Sequence, residues 1–378
     1  MDQIKKGAVV GLIGGGQLGK MFSEAAHKLG YRVICLDPDP KCCCAKVADQ
    51  LIVAKYSDQK AIEELSKKTQ VITYEFENVD ANILEKIEKQ GAKVFPSSKV
   101  LRTTQNRIHE KEFVNSLKIP VTEFAKITSV EQVPMQVKKI GLPAIIKTAD
   151  GGYDGKGQVV VKTLQEAKDG ANELFQKSRE LIYEKMIELE KEVSIICARE
   201  IGGKIIVYPT FENTHKENIL FTTICPAKIS KEQEKTAREY GRIIGEKLEI
   251  VGTYCIEMFI EKGGKLLVNE IAPRPHNSGH LTIEATNCSQ FESQVRAICN
   301  IELIEPELTK PAAMINILGE NRGNKIKGVE KIPKDGFLHI YGKIDAKEKR
   351  KMGHITILGE NALEKAIKAR NEIYWSKE

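Results

Sequence analysis

The chain has 378 residues, 41% hydrophobic and 29% charged, which suits a soluble globular protein of two or three domains with cores of their own. Its net charge of +6 is spread along the chain, with no basic run interleaved with aromatics, so a nucleic-acid partner is not expected and phosphorylated small molecules are. Nine cysteines without regular spacing argue against a disulfide framework and for the reducing cytoplasm, and no apolar run approaches the length of a membrane span.

The first hundred residues alternate between two periodicities. Strands are expected at Ala8–Ile13, Arg32–Leu36, Gln50–Ala54, Val71–Tyr74 and Ala92–Phe95, and helices at Leu18–Leu29, Gln59–Lys67 and Ala81–Gln90. Such alternation predicts an α/β unit with a parallel, doubly wound sheet. Gly14-x-Gly16-x-x-Gly19 follows the first strand and opens the first helix, and Asp37 ends the second strand. This is the dinucleotide fingerprint. Taken alone it predicts a dehydrogenase, but the same glycines serve any phosphate at a helix N-terminus, or close packing of strand on helix. The Cys42-Cys43-Cys44 triplet has no second Cys or His group at zinc spacing, so no metal role is assigned to it.

A charged helix is expected over Thr103–Leu117, broken by Ile119-Pro120. Lys147 then ends an apolar run. A loop with four glycines between 151 and 157 follows, and Val159–Val161 forms the next run. Glycine lets backbone amides turn onto an anion, and a strand-end lysine adds a point charge. The pattern predicts a lid over nucleotide phosphates; it is not a Walker loop, because no Gly-x-x-x-x-Gly-Lys-[Ser/Thr] run opens a helix. An ordinary glycine-rich hairpin tip is the alternative. Leu181–Ile187 reads as a strand carrying Glu184, with Glu192 beyond it and His215 in a polar loop.

A helix near Lys231–Leu248 precedes the most pointed pattern. Gly263-Gly264 separates two strand-like runs and predicts a two-residue hairpin turn. Opposed residues then sum to 527, which sets Glu257 directly across from Glu270. Cβ atoms so opposed lie roughly 4.5–5.5 Å apart, and two carboxylates there repel unless a proton or cation intervenes. Magnesium takes one or two carboxylates and completes its shell from phosphates and water. A solvated glutamate pair on an exposed sheet face is the alternative. After 301 come short strands and turns, a helix near Ala362–Asn371, and the cations Lys343, Arg350 and Lys351, which fit either a basic turn or a monophosphate.

In this order the lid lysine, the glycine loop, a Glu-Lys-x-Ile strand and the paired late glutamates resemble the ATP-grasp superfamily. More narrowly, six segments resemble the N5-carboxyaminoimidazole ribonucleotide synthetase family over essentially the whole chain. They are Gly-Gly-Gly-Gln-Leu-Gly at 14–19, Tyr-Glu-Phe-Glu-Asn at 74–78, Gln-Asn-Arg at 105–107, Gly-Gly-Tyr-Asp-Gly-Lys-Gly-Gln at 151–158, Asn-Glu-Ile-Ala-Pro-Arg-Pro-His-Asn-Ser-Gly-His at 269–280 and Arg-Lys-Met-Gly-His at 350–354.

The resemblance implies an ATP-grasp fold. A Rossmann-like domain would occupy 1–100, the ATP-grasp domain 101–300 with a lid subdomain about 118–187, and a small β-rich domain 301–378. It implies a ligase that carboxylates aminoimidazole ribonucleotide with bicarbonate and ATP, with Mg2+ as cofactor, small molecules as partners and a homodimer. Arg107 and Lys147 would then meet ATP phosphates under a lid of Gly152, Tyr153, Asp154, Gly155, Lys156, Gly157 and Gln158. Glu184, Lys185, Met186 and Ile187 would read adenine and Glu192 the ribose, with His215 and Asn269 lining the site and Glu257 and Glu270 holding magnesium. Gln17, Leu18, Glu75, Tyr153, Asp154 and Arg274 would face the ribonucleotide, and Lys343, Arg350 and Lys351 its 5′-phosphate. Tyr153, Asp154, Arg274 and His276 are the catalytic candidates.

Overall fold

The structure, a computed structural model, describes residues 2–151, 157–321 and 323–377. Its first unit is a parallel sheet of β1 (Val9–Ile13), β2 (Arg32–Asp37), β3 (Gln50–Val53) and β4 (Val71–Tyr74), joined by α1 (Gln17–Lys28) and α2 (Gln59–Lys68) and followed by α3 (Ala81–Lys89). The strand order is β3-β2-β1-β4. Alternate residues of each strand feed opposite cores. Val10, Leu12, Val33 and Cys35 pack with Met21 and Phe22 on one face. Ile13, Ile34, Leu36 and Ile72 pack with Ile62, Leu65 and Leu84 on the other. Asp58 and Asp80 cap α2 and α3 through the backbone N–H groups of Ala61 and Asn82.

Two expectations change here. The strand at Ala92–Phe95 shrinks to one parallel bridge between Val94 and Ile72, because Pro96 follows and offers no N–H to extend the ladder. The helix at Thr103–Leu117 is two helices, α4 (Ser98–Thr104) and α5 (Arg107–Ser116). Asn106 lies between them in extended backbone, and its side-chain oxygen accepts from the N–H groups of Ile108 and His109 at 3.0 and 3.1 Å. That is an N-cap inside a pattern whose periodicity runs straight through it.

The next segment makes a small antiparallel sheet with its own core. It contains β5 (Phe124–Ile127), α6 (Val133–Ile140), β6 (Ala144–Thr148), β7 (Gln158–Val161), α7 (Leu164–Phe175) and β8 (Leu181–Lys185), in the order β5-β8-β6-β7. The rest of the chain builds one large sheet. Its elements are β9 (Leu189–Arg199), β10 (Ile205–Val207), β11 (Phe211–Lys216), β12 (Ile219–Cys225), α8 (Lys231–Lys247), β13 (Gly252–Glu261), β14 (Leu266–Ala272), α9 (Thr282–Ala285), α10 (Gln290–Ile298), β15 (Ala312–Leu318), β16 (Lys325–Lys327), β17 (Gly336–Ile340), β18 (Lys351–Leu358), α11 (Ala362–Glu372) and β19 (Tyr374–Ser376). The sheet runs β14-β13-β9-β11-β12-β15-β18-β17, with β10 on β9 alone. The segment after 301 thus adds three strands to the same sheet through β12 and β15. It covers them with α11, whose Ala362, Ala366 and Ala369 sit in one core with Ala313, Ile315, Ile355 and Ile357.

A stack of imidazoles ties this late segment to the middle of the chain. His339 and His354 lie 4.4 Å apart, nearly parallel, and His280 is 4.8 Å from His354. Tyr341 Oη is 2.9 Å from His354 Nδ1, and Glu284 is 2.6 Å from His339 Nε2. His280 and His354 are fully buried. Burial first, and the neighbouring histidines next, hold both pKa values well below 6.5. Both are therefore neutral in the folded protein at neutral pH, whereas the unfolded chain takes up their protons below about pH 6.5. Each then costs the fold up to about 1.4 kcal/mol per pH unit as pH falls below that value. Thermal unfolding of the wild type between pH 7.5 and 5.5 should lose stability more steeply than His354→Asn; parallel slopes would contradict the assignment.

Candidate active site

The nucleotide side is built where α5 meets the small sheet. Arg107 opens α5, its N–H donating to Ala149 O at 2.9 Å and its guanidinium to Thr148 O at 3.2 Å. Lys147 ends β6 and reaches Glu184 Oε2 on β8 at 3.0 Å. Lys111 approaches the same oxygen at 3.8 Å, and both Lys111 and Glu184 are buried. Burial alone would raise the Glu184 pKa, but Lys111 and Lys147 outweigh it and hold it below the usual glutamate value. Glu110, also buried, accepts from Ile271 N–H at 2.6 Å, and burial followed by the charge of Glu270 pushes its carboxyl well up. Lys111 and Glu110 escape sequence reasoning. The available signal is that Lys111 sits three residues from each of Ile108 and Val114, in the buried stripe of its helix.

At the end of β8 the backbone N–H groups of Lys185 and Met186 are taken by Glu123 O and Pro143 O, and the Met186 side chain is exposed. Ile187 leads into β9. Gly157 closes the glycine loop with φ of +74°, its carbonyl accepting from Thr148 N–H at 2.9 Å, and Gln158 pairs with Lys147. Gly152, Tyr153, Asp154, Gly155 and Lys156 lie outside the described residues.

The β13–β14 hairpin sets Glu257 opposite Glu270, as the arithmetic predicts, but by a different route. Glu261 N–H donates to Lys265 O, so the turn has three residues, and the register next to it pairs Ile260 with Leu266 and Met258 with Val268. A bulge at Asn269 then restores the pairing of Glu257 with Glu270. Two one-residue departures cancel. The bulge also interrupts the strict in–out alternation where Asn269 and Glu270 stand side by side. Burial first and Glu270 second raise the Glu257 pKa to about 7.

Glu257 Oε1 lies 3.3 Å from His276 Nε2, whose own pKa is driven well below 6.5 by burial and then by Arg274 and Lys351. His276 is anchored from below. Its Nδ1 lies 2.9 Å from Ser278 Oγ, which accepts from Ser194 Oγ at 2.8 Å. Asn213 Nδ2 donates to Ser194, and Thr223 to Asn213 Oδ1, each at 2.9 Å. This relay crosses three strands, β9, β11 and β12, and its serines and threonine carry no sequence pattern of their own. Glu192 and His215 pair directly across β9 and β11; burial opposes the charged imidazole, but Glu192 outweighs it and the His215 pKa is raised. Arg274 pairs with Glu77 at 2.8 Å.

On the far side a cleft of about 610 Å³ is bounded by Gly16, Gln17, Asp37, Tyr56, Glu75, Lys343 and Arg350. Burial, reinforced by the nearby charge of Arg350, lowers the Lys343 pKa to about 8. Leu18 packs against the apolar core beneath α1. Lys351 is not among the residues bounding this cleft. It stands between the two halves of the site, close enough to act on both Glu257 and Lys343.

The glycine turn is filled from within. Gly16 N–H and Gly19 N–H donate to the two oxygens of Glu75 at 2.5 and 2.6 Å, and Gly15 N–H to Asp37 Oδ2 at 2.7 Å. A Cβ at Gly16 would meet a Glu75 oxygen at 2.5 Å. Two carboxylates therefore hold the amides that a dinucleotide's pyrophosphate would need, which removes the dehydrogenase reading. Among the described residues no group of three or more His, Cys, Asp or Glu side chains is arranged to hold a metal alone. The opposed pair, one member of it driven toward protonation, instead fits an ion that draws the rest of its shell from phosphates and water.

Comparison with known proteins follows this geometry. Residues 8–105 match the ribonucleotide synthetase preATP-grasp domain, 112–291 the ATP-grasp domain and 312–368 the phosphoribosylaminoimidazole carboxylase C-terminal domain. The N5-carboxyaminoimidazole ribonucleotide synthase of Bacillus subtilis is 41% identical over 358 residues, 94% of this chain and 92% of that protein. A solved N5-carboxyaminoimidazole ribonucleotide synthetase in complex with ADP superposes with a TM-score of 0.92 at 43% identity, covering 98% of each chain. The Aspergillus clavatus synthase in complex with ADP and 5-aminoimidazole ribonucleotide superposes with a TM-score of 0.88 at 28% identity, covering 97% of this chain and 99% of that one. The chain belongs to the N5-carboxyaminoimidazole ribonucleotide synthase family and is an ATP-dependent ligase of the ATP-grasp fold.

Proposed function

We propose that this enzyme carboxylates the exocyclic amine of 5-aminoimidazole ribonucleotide, using bicarbonate and ATP and releasing ADP and phosphate, in purine biosynthesis. One observation carries the assignment of residues. The charged groups form an unbroken electrostatic line from Glu184 through Lys111, Glu270, Glu257 and Lys351 to Lys343 and Glu75, each acting on the next. A nucleotide at one end and a ribonucleotide at the other would meet over Glu257, His276 and Arg274.

In this reading Arg107 and Lys147 bind ATP phosphates, and Lys147 exchanges its contact with Glu184 for a phosphate oxygen. Glu184 and the backbone from Lys185 to Ile187 read adenine, Glu192 the ribose, and His215 and Asn269 line the pocket. Glu257 and Glu270 would hold Mg2+, which would supply neutralisation of phosphate charge. The γ-phosphoryl group passes to bicarbonate to give carboxyphosphate, and the amine attacks its carbon, or carbon dioxide released from it, with loss of phosphate. Carboxyphosphate is short-lived in water, so the glycine loop, with Tyr153 and Asp154, serves as a closing lid. His276 and Asp154 are the two candidates to take the amine proton. Gln17, Leu18, Glu75 and Arg274 orient the ribonucleotide, and Lys343, Arg350 and Lys351, each partly buried, take its 5′-phosphate.

A homodimer in the cytoplasm is the expected setting. All nine cysteines are free, which fits a reducing compartment, and no helix of the described residues is long and apolar enough to cross a membrane.

Two substitutions test the assignment. Glu270→Gln removes the charge that repels Glu257, so the protein should stay folded by circular dichroism while magnesium-dependent turnover falls at least about 100-fold; full activity would remove the metal assignment. Lys351→Ala should raise KM for the ribonucleotide about tenfold and leave KM for ATP nearly unchanged. The reverse order would move this cation to the nucleotide side.

A further inference from the structure

The reaction as proposed gives no task to the buried cation Lys111. This residue follows Ile108 by one helical turn on α5, and Ile108 shares a small apolar cluster with Ile182 of β8. Side chains alternate along a strand, so Leu181 and Tyr183 enter the core of the small sheet while Ile182 and Glu184 face α5. Lys111 and Glu184 therefore meet between helix and sheet. Lys111 Nζ stands 3.8 Å from Glu184 Oε2, and each side chain is only 3% exposed. Lys147 reaches the same oxygen at 3.0 Å and is less deeply buried, at 14%. Two buried polar atoms are left over: among the described residues neither Lys111 Nζ nor Glu184 Oε1 has a hydrogen-bond partner. An ammonium held so close to a carboxylate that already has a cation gains its purpose when that first cation leaves. In the function proposed above Lys147 does leave, for an ATP phosphate.

We propose that Lys111 is a positioning residue for base selection: it takes over from Lys147 as the counter-ion of Glu184 when nucleotide binds, and so keeps that carboxylate an acceptor for the exocyclic amino group of adenine. An ionised carboxylate can only accept hydrogen bonds. The amino group of adenine donates to it, whereas guanine and hypoxanthine carry a carbonyl oxygen at that position, a second acceptor that leaves both groups unpaired. A protonated Glu184 loses this selectivity, because its O–H can donate to the carbonyl. Burial is the force that would protonate it. Lys111 heads the charges that oppose burial, ahead of Lys147 and Arg107. The dependence is mutual, since burial lowers the Lys111 pKa and Glu184 is the main charge working against that. Glu184 Oε1, buried and unpaired, is the oxygen left for the base.

The role of Lys111 rests on the assignment of Glu184 to adenine made above, and titration calorimetry on the intact protein separates the two. The probes are magnesium-ATP and magnesium-inosine triphosphate, whose base carries the carbonyl in place of the amino group. The wild type should bind ATP at least about tenfold more tightly than inosine triphosphate. Lys111→Met, of similar length but uncharged, should lose most of that preference, and Lys111→Arg should keep it. A residue that only packs would weaken both nucleotides alike and leave their ratio unmoved. Glu184→Gln, whose amide can donate or accept, should also lose the preference, and adding Lys111→Met to it should change the ratio no further. The double variant buries no unpaired carboxylate, so it reads the coupling even where Lys111→Met alone fails to fold. Preference kept in Lys111→Met but lost in Glu184→Gln would overturn the role of Lys111 and leave Glu184 at adenine, as would a further change of ratio in the double variant. Preference kept in Glu184→Gln, or absent from the wild type, would remove Glu184 from the base and the role of Lys111 with it.

Discussion

The site depends on one repulsion. The β13–β14 hairpin sets Glu257, which is partly buried, opposite the exposed Glu270, and two carboxylates about 5 Å apart oppose each other by about 3 kcal/mol at an effective dielectric of 20. Burial first, and this repulsion second, raise the Glu257 pKa from its ordinary 4.5 to about 7. The hairpin therefore holds the pair short of positive charge, and the surroundings are arranged accordingly. His276 is kept neutral beside Glu257, Glu110 is pushed toward its neutral form behind Glu270, and the nearby cations Lys111 and Arg274 are paired with Glu184 and Glu77. A site so charged favours a bound cation.

The glycine turn illustrates how little a local motif decides by itself. Gly14, Gly16 and Gly19 form the strand–turn–helix junction the fingerprint predicts, and the turn does bind an anion. The anion is the protein's own Glu75, with Asp37 beside it. Both residues come from strand ends of the same sheet, at its carboxyl edge, where open α/β sheets bind ligands. The turn thus serves as a rigid wall for a cleft whose opposite wall, Lys343 and Arg350, arrives from the last sixty residues of the chain.

Much of this was legible in the sequence, and the failures have physical causes. The β1–β4 alternation, the β6–β7 hairpin and the opposed glutamates follow from period, turn chemistry and register. The helix break at Asn106 was hidden because a polar residue in a charged helix looks like surface until its side chain is seen capping the next turn. The hairpin pairing came out right although the turn has three residues, since the Asn269 bulge returned the residue that the turn had taken. Lys111 shows locally only as a buried position on its helix, and Glu110 and the Ser194–Ser278 relay leave no local pattern. Their meaning lies in distant partners, Ser278 for Ser194 at 84 positions and Ile271 for Glu110 at 161, and only the packing of α5, β9 and β14 brings them together. The merging of the late strands into the large sheet is of the same kind, because edge pairing between β12 and β15 leaves no mark in either strand.

The measurement that tests the account most directly is the fate of labelled bicarbonate under steady-state turnover with magnesium and ATP. With 5-aminoimidazole ribonucleotide present, ADP release should rise and the label should enter the ribonucleotide in equal amount, while glycinamide ribonucleotide with formate should give no stimulation. ADP release driven only by formate, or stimulated release without label in the product, would contradict it.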